Sequence, residues 1–480
     1  MCIVFQPKKL HFVLLLLVIL GLVLPLSGCS PQSGAENLSG FRAGETKEGA
    51  RLSVFLNVKD HSAPQVRLWI TSIEICKDNI WIPIASKPVE VDVSRMDWGQ
   101  TLLAEGLLTP GRYDKVRIRF EKAGIHVQGK MVFPALKKTV LEMPVPTAID
   151  LEKGNSRCLF ITWDVSASLQ GTSFIDPVMA AAPQSTPLVA GLAYVACPDI
   201  DTVYMVRTDK CRVCGSMGIA GHPTYLALDC SRNRLYVLAT RKSAINVIEL
   251  STSRLVDVIR IPLTMEPSFM TMSPDGLWAY ILDERGNYLI RMDLQSESLA
   301  GRVHLGNRPQ YAVYLPDHQR LAVSSGLSQA VFLLNPESLD TMETVPVGSS
   351  PQGLLAWRDL LYIAESDSNT ISIYDLETRQ VRARMNVGLS PRRLLLSGVR
   401  IYVSNYEGGS LSVFLPGQLS VSQGISVGGT PMEMAASTSR RWLYVGNQGS
   451  QDVTVIDLTS NRLAGRIPLG GAPLGLAIVE

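Results

Sequence analysis

Few residues of this chain have types and spacing that could do chemistry. Cys211-Arg212-Val213-Cys214 has the Cys-x-x-Cys spacing of redox and metal sites, and Cys197 and Cys230 would complete a set of four thiolates. Gly215 stands where haem attachment through such a pair requires His. On one strand Cys211 and Cys214 would face opposite ways, and the set is spread over two units of the repeat described below, so the four read as disulfides or buried thiols. The chain has 6 His, of which only His222, His304 and His318 lie beyond residue 188, too few for a copper cluster or a haem pocket. There is no Gly-x-Ser-x-Gly elbow, no His-Glu-x-x-His and no phosphate-binding glycine loop. No catalytic residue, metal ligand or cofactor is therefore assigned. What remains are ionisable groups beside recurring prolines: His222, Glu266 and Arg308 directly before one, and Arg392 directly after one.

Those prolines belong to a repeat. Pro223, Pro267, Pro309, Pro351, Pro391, Pro431 and Pro473 follow one another at 44, 42, 42, 40, 40 and 42 residues. A second series, Tyr194, Tyr236, Tyr280, Leu321, Tyr362, Tyr402 and Tyr444, each opening an apolar triplet, keeps step at 42, 44, 41, 41, 40 and 42. Alternating strands such as Ile371-Ser372-Ile373-Tyr374-Asp375 lie between the markers, and strands closing on Gly, as in Val345-Pro346-Val347-Gly348, precede the proline. Seven copies of a unit of roughly 40–45 residues with four short strands make a β-propeller, because one such sheet cannot bury both its faces alone. Pro473 opens a strand with no unit after it, whereas Tyr194 begins a unit whose preceding strand is degenerate. The C-terminal strand is thus expected to supply the inner strand of the first blade and close the ring.

The repeat resembles the YVTN family of propeller repeats, through Tyr402-Val403-Ser404-Asn405 and Tyr444-Val445-Gly446-Asn447. The resemblance covers all seven units and implies extracytoplasmic binding and scaffolding proteins more often than enzymes. In a propeller the loop into each inner strand runs to the channel, so His222, Glu266, Arg308 and Arg392 are expected around one mouth, facing a polar ligand or a partner's loop. The alternative is a lactonase-like hydrolase or an oxidoreductase using the channel. A hydrolase would need a metal cluster there, and the residues before the prolines (His222, Glu266, Arg308, Ser350, Ser390, Thr430, Ala472) form a mixed polar ring without paired carboxylates.

Before the array, residues 51–180 carry short strands of period two. Val116, Ile118 and Phe120 alternate with Arg117, Arg119 and Glu121, and Leu159, Ile161 and Trp163 alternate with Phe160, Thr162 and Asp164, as in an antiparallel sandwich wet on one side. Residues 66–75 leading to Trp81, the turn Leu108-Thr109-Pro110-Gly111-Arg112-Tyr113 and the late Trp163-Asp164-Val165-Ser166-Ala167 resemble an uncharacterised domain of bacterial lipoproteins. That resemblance implies an extracytoplasmic β-sandwich and no function. Cys76 and Cys158, the only cysteines there, are expected to pair as a disulfide closing a loop of about 80 residues. Pro177, Pro183 and Pro187 with the residues between them read as a spacer before the propeller at 188–480.

The first residues give an address. Lys8 and Lys9 precede an apolar run over residues 10–24, too short to span a bilayer and suited to a signal peptide. Leu26-Ser27-Gly28-Cys29 resembles the lipobox of bacterial lipoproteins, which implies removal of residues 1–28, lipid on Cys29 and, with Ser30 following, the outer membrane. Residues 29–50 are rich in Ser, Gly, Glu and Ala and read as a tether. Without Lys8 and Lys9 the 45 basic side chains fall to 43, equal to the 43 acidic ones. A neutral chain without a basic run is not expected to bind nucleic acid, because phosphate neutralisation supplies most of that affinity. At 46% hydrophobic and 18% charged it is not a disordered protein either. The expected protein is all-β: a lipid-anchored envelope protein, a sandwich-like domain followed by a seven-bladed propeller.

Overall fold

The computed structural model describes residues 49–59, 65–85, 87–437, 439 and 441–479. The signal segment, the lipobox with Cys29 and nearly all of the expected tether lie outside the described residues. Lys47–Glu480 is one compact unit. Its architecture is the expected one, a β-sandwich followed by a seven-bladed β-propeller, built from ten sheets. No helix among the described residues is long and apolar enough to cross a membrane.

The sandwich has two main sheets. One is ordered Val178–Pro183, Ser156–Asp164, Ala50–Val58 and Gln100–Leu108; the other centres on Val66–Lys77 and Gly111–Val127. Ala50, assigned to the tether from composition, already belongs to a strand, and Val178–Pro183, read as part of the spacer, is an edge strand paired with Ser156–Asp164. The first sheet departs from a fully antiparallel arrangement, since Ala50–Val58 and Ser156–Asp164 run parallel with Arg51 opposite Ser156. The second sheet forms the crossover that a parallel pair requires. Leu52, Val54, Ile118, Leu159, Ile161 and Trp163 fill the core between the sheets. Two sequence motifs acquire causes here. Tyr113 is buried and its hydroxyl donates to the Thr109 carbonyl at 2.7 Å, locking the Leu-x-Pro-Gly-x-Tyr turn. Trp163 Nε1 donates to Ser168 Oγ at 3.0 Å, in a single helical turn, Val165–Ser168, that Asp164 caps through the Ala167 amide at 2.9 Å.

Each propeller blade is a four-stranded antiparallel sheet. Blades 2 to 7 run outward from inner strands that begin at Pro223, Pro267, Pro309, Pro351, Pro391 and Pro431. Blade 1 takes its inner strand from the C-terminus: Gly475–Val479 lies antiparallel to Leu192–Cys197, from Leu192 opposite Val479 to Ala196 opposite Gly475. The repeated tyrosines clasp neighbouring blades. Tyr280 donates to the Pro336 carbonyl at 3.1 Å, Tyr402 to Asn461 Oδ1 at 2.6 Å and Tyr444 to the Thr208 carbonyl at 3.2 Å, each in the next blade, while Tyr362 accepts from the Gly417 amide at 2.8 Å. In blades 4 to 7 the repeated glycines make room for the buried polar side chains Ser325, Glu365, Asn405 and Asn447 at the end of the second strand. A Cβ at Gly348 or Gly428 would come within 2.6 Å of the Glu365 or Asn447 side chain.

The sandwich is not a separate bead on the propeller. Phe55, Cys158 and Phe160, on the outer face of its first sheet, join Ala193, Val195, Tyr204, Tyr444 and Val455 of blades 1 and 7 in one hydrophobic cluster. Two glutamine amides cap the edge strand Arg212–Gly218 as a neighbouring strand would. Gln100 donates to the Val213 carbonyl at 3.0 Å and accepts from its amide at 2.8 Å; Gln184 does the same at Ser216, both at 3.0 Å. The face expected to be wet at Phe160 is thus largely covered.

The same packing corrects the expected disulfide. Cys76 lies in the second sheet, and Cys158, in the first, faces the propeller, its Sγ 3.4 Å from Ser216 Oγ. Both are free thiols. Alternation alone put Cys158 at the start of a core strand without revealing which of two cores that position faces. Burial pushes its thiol up to about 12. Cys211, against the Tyr444 hydroxyl at 3.6 Å, and Cys214, on the Met205 carbonyl at 3.4 Å, are free as well.

Candidate functional site

The loops into the inner strands surround a cavity of about 240 Å³ at one mouth of the propeller channel. Five of the seven residues before the prolines, His222, Arg308, Ser350, Ser390 and Thr430, hold left-handed backbone with φ between 49° and 65°. A following proline disfavours right-handed helical geometry, and side chains hold the alternative in place. Asp201 Oδ1 accepts from the His222 amide at 2.8 Å, and Asn287 and Asn369 hold the Arg308 and Ser390 amides at 2.7 Å. The repeat therefore fixes the loops and leaves their side chains free to vary.

Three of the four residues expected at the mouth, His222, Glu266 and Arg392, line this cavity. Arg308 does not; it lies outward and pairs through Nε with Glu284 Oε1 at 2.6 Å. Glu284 does line the cavity and also accepts from Gln310 Nε2 at 3.0 Å. Arg392 is the second residue of the strand Pro391–Ser397. Its guanidinium sits 4.9 Å from the Tyr406 ring, and Nε has no hydrogen-bond partner. Burial lowers its pKa, and Arg393 and Arg308 nearby push the same way.

The floor went unnoticed in the sequence. Residues two places after successive prolines are Tyr225, Phe269, Tyr311, Gly353, Arg393, Glu433 and Gly475. The rings of Tyr225 and Phe269, and of Phe269 and Tyr311, have centroids 4.3 Å apart, and the Arg393 guanidinium lies 4.7 Å from the Tyr311 ring. Arg393 Nε meets Glu433 Oε2 at 3.3 Å. The glycines allow this closure, since a Cβ at Gly353 would lie 2.5 Å from the Arg392 carbonyl oxygen and one at Gly475 2.8 Å from that of Thr224. Burial raises the Glu433 carboxyl above its ordinary value, with Arg393 opposing, and raises the Tyr311 phenol too. Aligning the repeats on their prolines and reading the position that changes chemistry from blade to blade would have found this layer.

Burial, with Arg241 beside it, holds the His222 imidazole below its usual 6.5. Below pH 6.5 an unfolded chain takes a proton at this position that the folded chain refuses, so stability falls on acidification through that window. In His222→Gln the curve of Tm against pH should be flatter there, and an unchanged curve would show that His222 does not titrate in this way.

No protein-family profile matches the chain, and no functionally curated protein does. Solved structures are similar in fold. A functionally unknown protein from Desulfotomaculum acetoxidans is 14% identical with a TM-score of 0.54, covering 61% of this chain and 99% of that one. The periplasmic gluconolactonase of Pseudomonas aeruginosa is 19% identical with a TM-score of 0.51, covering 60% and 99%, and a protein from Lactobacillus plantarum is 19% identical at 0.52, covering 60% and 99%. At such identity these are likenesses of fold alone.

Proposed function

We propose that the chain is a YVTN-like extracytoplasmic binding protein whose propeller mouth takes a small, negatively charged, hydroxyl-bearing molecule. One observation carries the reading: Ser268 Oγ and Arg392 Nε, buried polar atoms without a hydrogen-bond partner, come from blades 3 and 6 and line one cavity. Unmatched buried polar atoms are costly, and two together in a concave site point to a ligand that satisfies them. Three carboxylates line the cavity as well, of which Glu433 is paired with Arg393 and Glu284 with Arg308, leaving Glu266 and Arg392 without an ion pair among the described residues. Arg392 offers positive charge, and Thr224, Ser268, Gln310 and Gln352 offer hydroxyls and amides. Met432 and Leu474 close the other side with apolar surface. By the resemblances noted in the sequence, Cys29 anchors the protein to an envelope membrane; Cys29→Ala that leaves membrane extraction unchanged would count against this.

Calorimetry with gluconate, a small hydroxy acid, tests the mouth. Arg392→Ala should weaken binding about tenfold or more, since a charge-assisted hydrogen bond contributes about 1.5–3 kcal/mol, while Arg308→Ala, already paired with Glu284, should change it little. The result that sinks the idea is no saturable binding, or equal loss in both variants. A second reading, hydrolysis of a lactone or ester, draws on Glu433, a carboxyl raised by burial at the cavity floor. Turnover of gluconolactone that Glu433→Gln abolishes would favour it.

A further inference from the structure

We propose that the protein has a second anion site, away from the propeller mouth, in the cleft where the sandwich, its connector and blades 1 and 2 meet, and that it holds a tetrahedral oxyanion such as the phosphate group of a small phosphorylated molecule. The cleft has a volume of about 210 Å³. Four stretches distant in sequence supply its polar lining: Arg157 from the sandwich strand Ser156–Asp164, Gln184, Ser185 and Thr186 from the connector, Ser216 from blade 1, and Thr252, Ser253 and Arg254 from the edge of blade 2. The lining contains no carboxylate. The two guanidiniums only donate, and the hydroxyls of Ser185, Thr186 and Ser253 can donate beside them, the complement of a group with several acceptor oxygens and negative charge.

The state of the two arginines carries the inference. Several arginines of this chain meet carboxylates: Arg117 with Glu74 and Glu142, Arg207 with Asp209, Arg232 with Asp229, Arg393 with Glu433. Among the described residues neither Arg157 nor Arg254 is in an ion pair. Glu249 stands opposite Arg254 across the strand pair, but its carboxylate accepts the Thr252 hydroxyl at 2.8 Å. Arg157 is held from one side, its Nη1 donating to Asn155 Oδ1 at 3.2 Å and to the Ser156 carbonyl at 3.4 Å. Its other nitrogens have no partner among the described residues. An oxyanion held between the two guanidiniums would gain a charge-assisted contact from each. The cleft also has a rigid base, because Gln184 in its lining is locked on both sides of Ser216 and to the Cys158 amide at 2.8 Å. A ligand here would bridge the sandwich and blade 2, and binding to the folded form alone would raise the stability of the whole unit.

The test is calorimetry and thermal melting of the chain with inorganic phosphate, against acetate at equal ionic strength. Phosphate should bind saturably and raise Tm, and acetate should do neither. Arg157→Ala and Arg254→Ala should each weaken phosphate binding about tenfold or more. Arg392→Ala, at the mouth, should leave it unchanged, which separates this site from the one proposed above. Melting of each variant in chloride should match the wild type, since a half-buried and an exposed arginine without ion pairs contribute little to stability. Three results would overturn the proposal: no saturable phosphate binding up to about 10 mM, equal binding of acetate, or phosphate binding that survives loss of both cleft arginines and disappears with Arg392.

Discussion

Deletion of residues 473–480 is expected to abolish the propeller's folding transition rather than trim its end. Gly475–Val479 is the inner strand of blade 1, paired along its length with Leu192–Cys197. Leu476, Ala477 and Val479 are all under 10% exposed and pack in clusters that reach into blades 1, 2 and 7. Burial of each Leu or Val contributes about 1.5–3 kcal/mol, and their loss comes with a broken strand ladder. That total is comparable with the roughly 5–15 kcal/mol by which folded proteins are stable. The cut also bares the edge of Leu192–Cys197 along the channel, a template for aggregation. Soluble expression and a melting scan decide the matter, with trimming within residues 30–48 as the control. A cooperative transition within a few degrees of the control would mean that the ring closes without this strand.

Phe55→Ala should cost about 3–5 kcal/mol, the usual penalty for emptying a fully buried aromatic site, and should lower a single transition for the sandwich and propeller together. Phe55 is 0% exposed although it lies on the sandwich's outward face. It stacks on Phe160 at 5.9 Å and meets the edge of Tyr204 in blade 1 at 6.3 Å. Around it Ser53 hydrogen-bonds the Tyr204 hydroxyl at 2.9 Å, Glu105 pairs with Arg51, and Asp97 accepts from the Arg466 amide in blade 7 at 2.9 Å. Gly470 is part of the fit, since a Cβ there would overlap the Glu105 carboxylate. Calorimetry of wild type and variant distinguishes the cases. Two separate transitions, with only the smaller one moved by Phe55→Ala, would show that the sandwich and propeller are energetically independent.

The legibility of the fold follows from repetition and alternation. Seven prolines and seven apolar triplets in step report a local requirement, four short strands and a turn, that each blade meets with its own residues. Closure by the C-terminal strand was legible for the same reason: a repeat cut out of phase at its two ends has one strand too many at the end and one too few at the start. His222, Glu266 and Arg392 could be placed at a mouth because a loop's position in a ring follows from its position in the repeat.

The tertiary structure decided whatever depends on which surfaces meet. Period two tells that Cys158 and Phe160 share a face, but not that blades 1 and 7 cover it, so a strand read as half wet is largely covered on that side too and the expected disulfide is not formed. Arg308 has the same place in its repeat as His222, yet Glu284, from the neighbouring turn, draws it out of the cavity. Arg393 and Glu433 lie 40 residues apart in sequence and meet only where inner strands of adjacent blades converge on the axis. Sequence by itself determined the strands, their number and their order around the ring, because those follow from near-neighbour spacing. Partners across the ring and between sandwich and propeller depend on side-chain reach after closure, and spacing along the chain does not encode that distance.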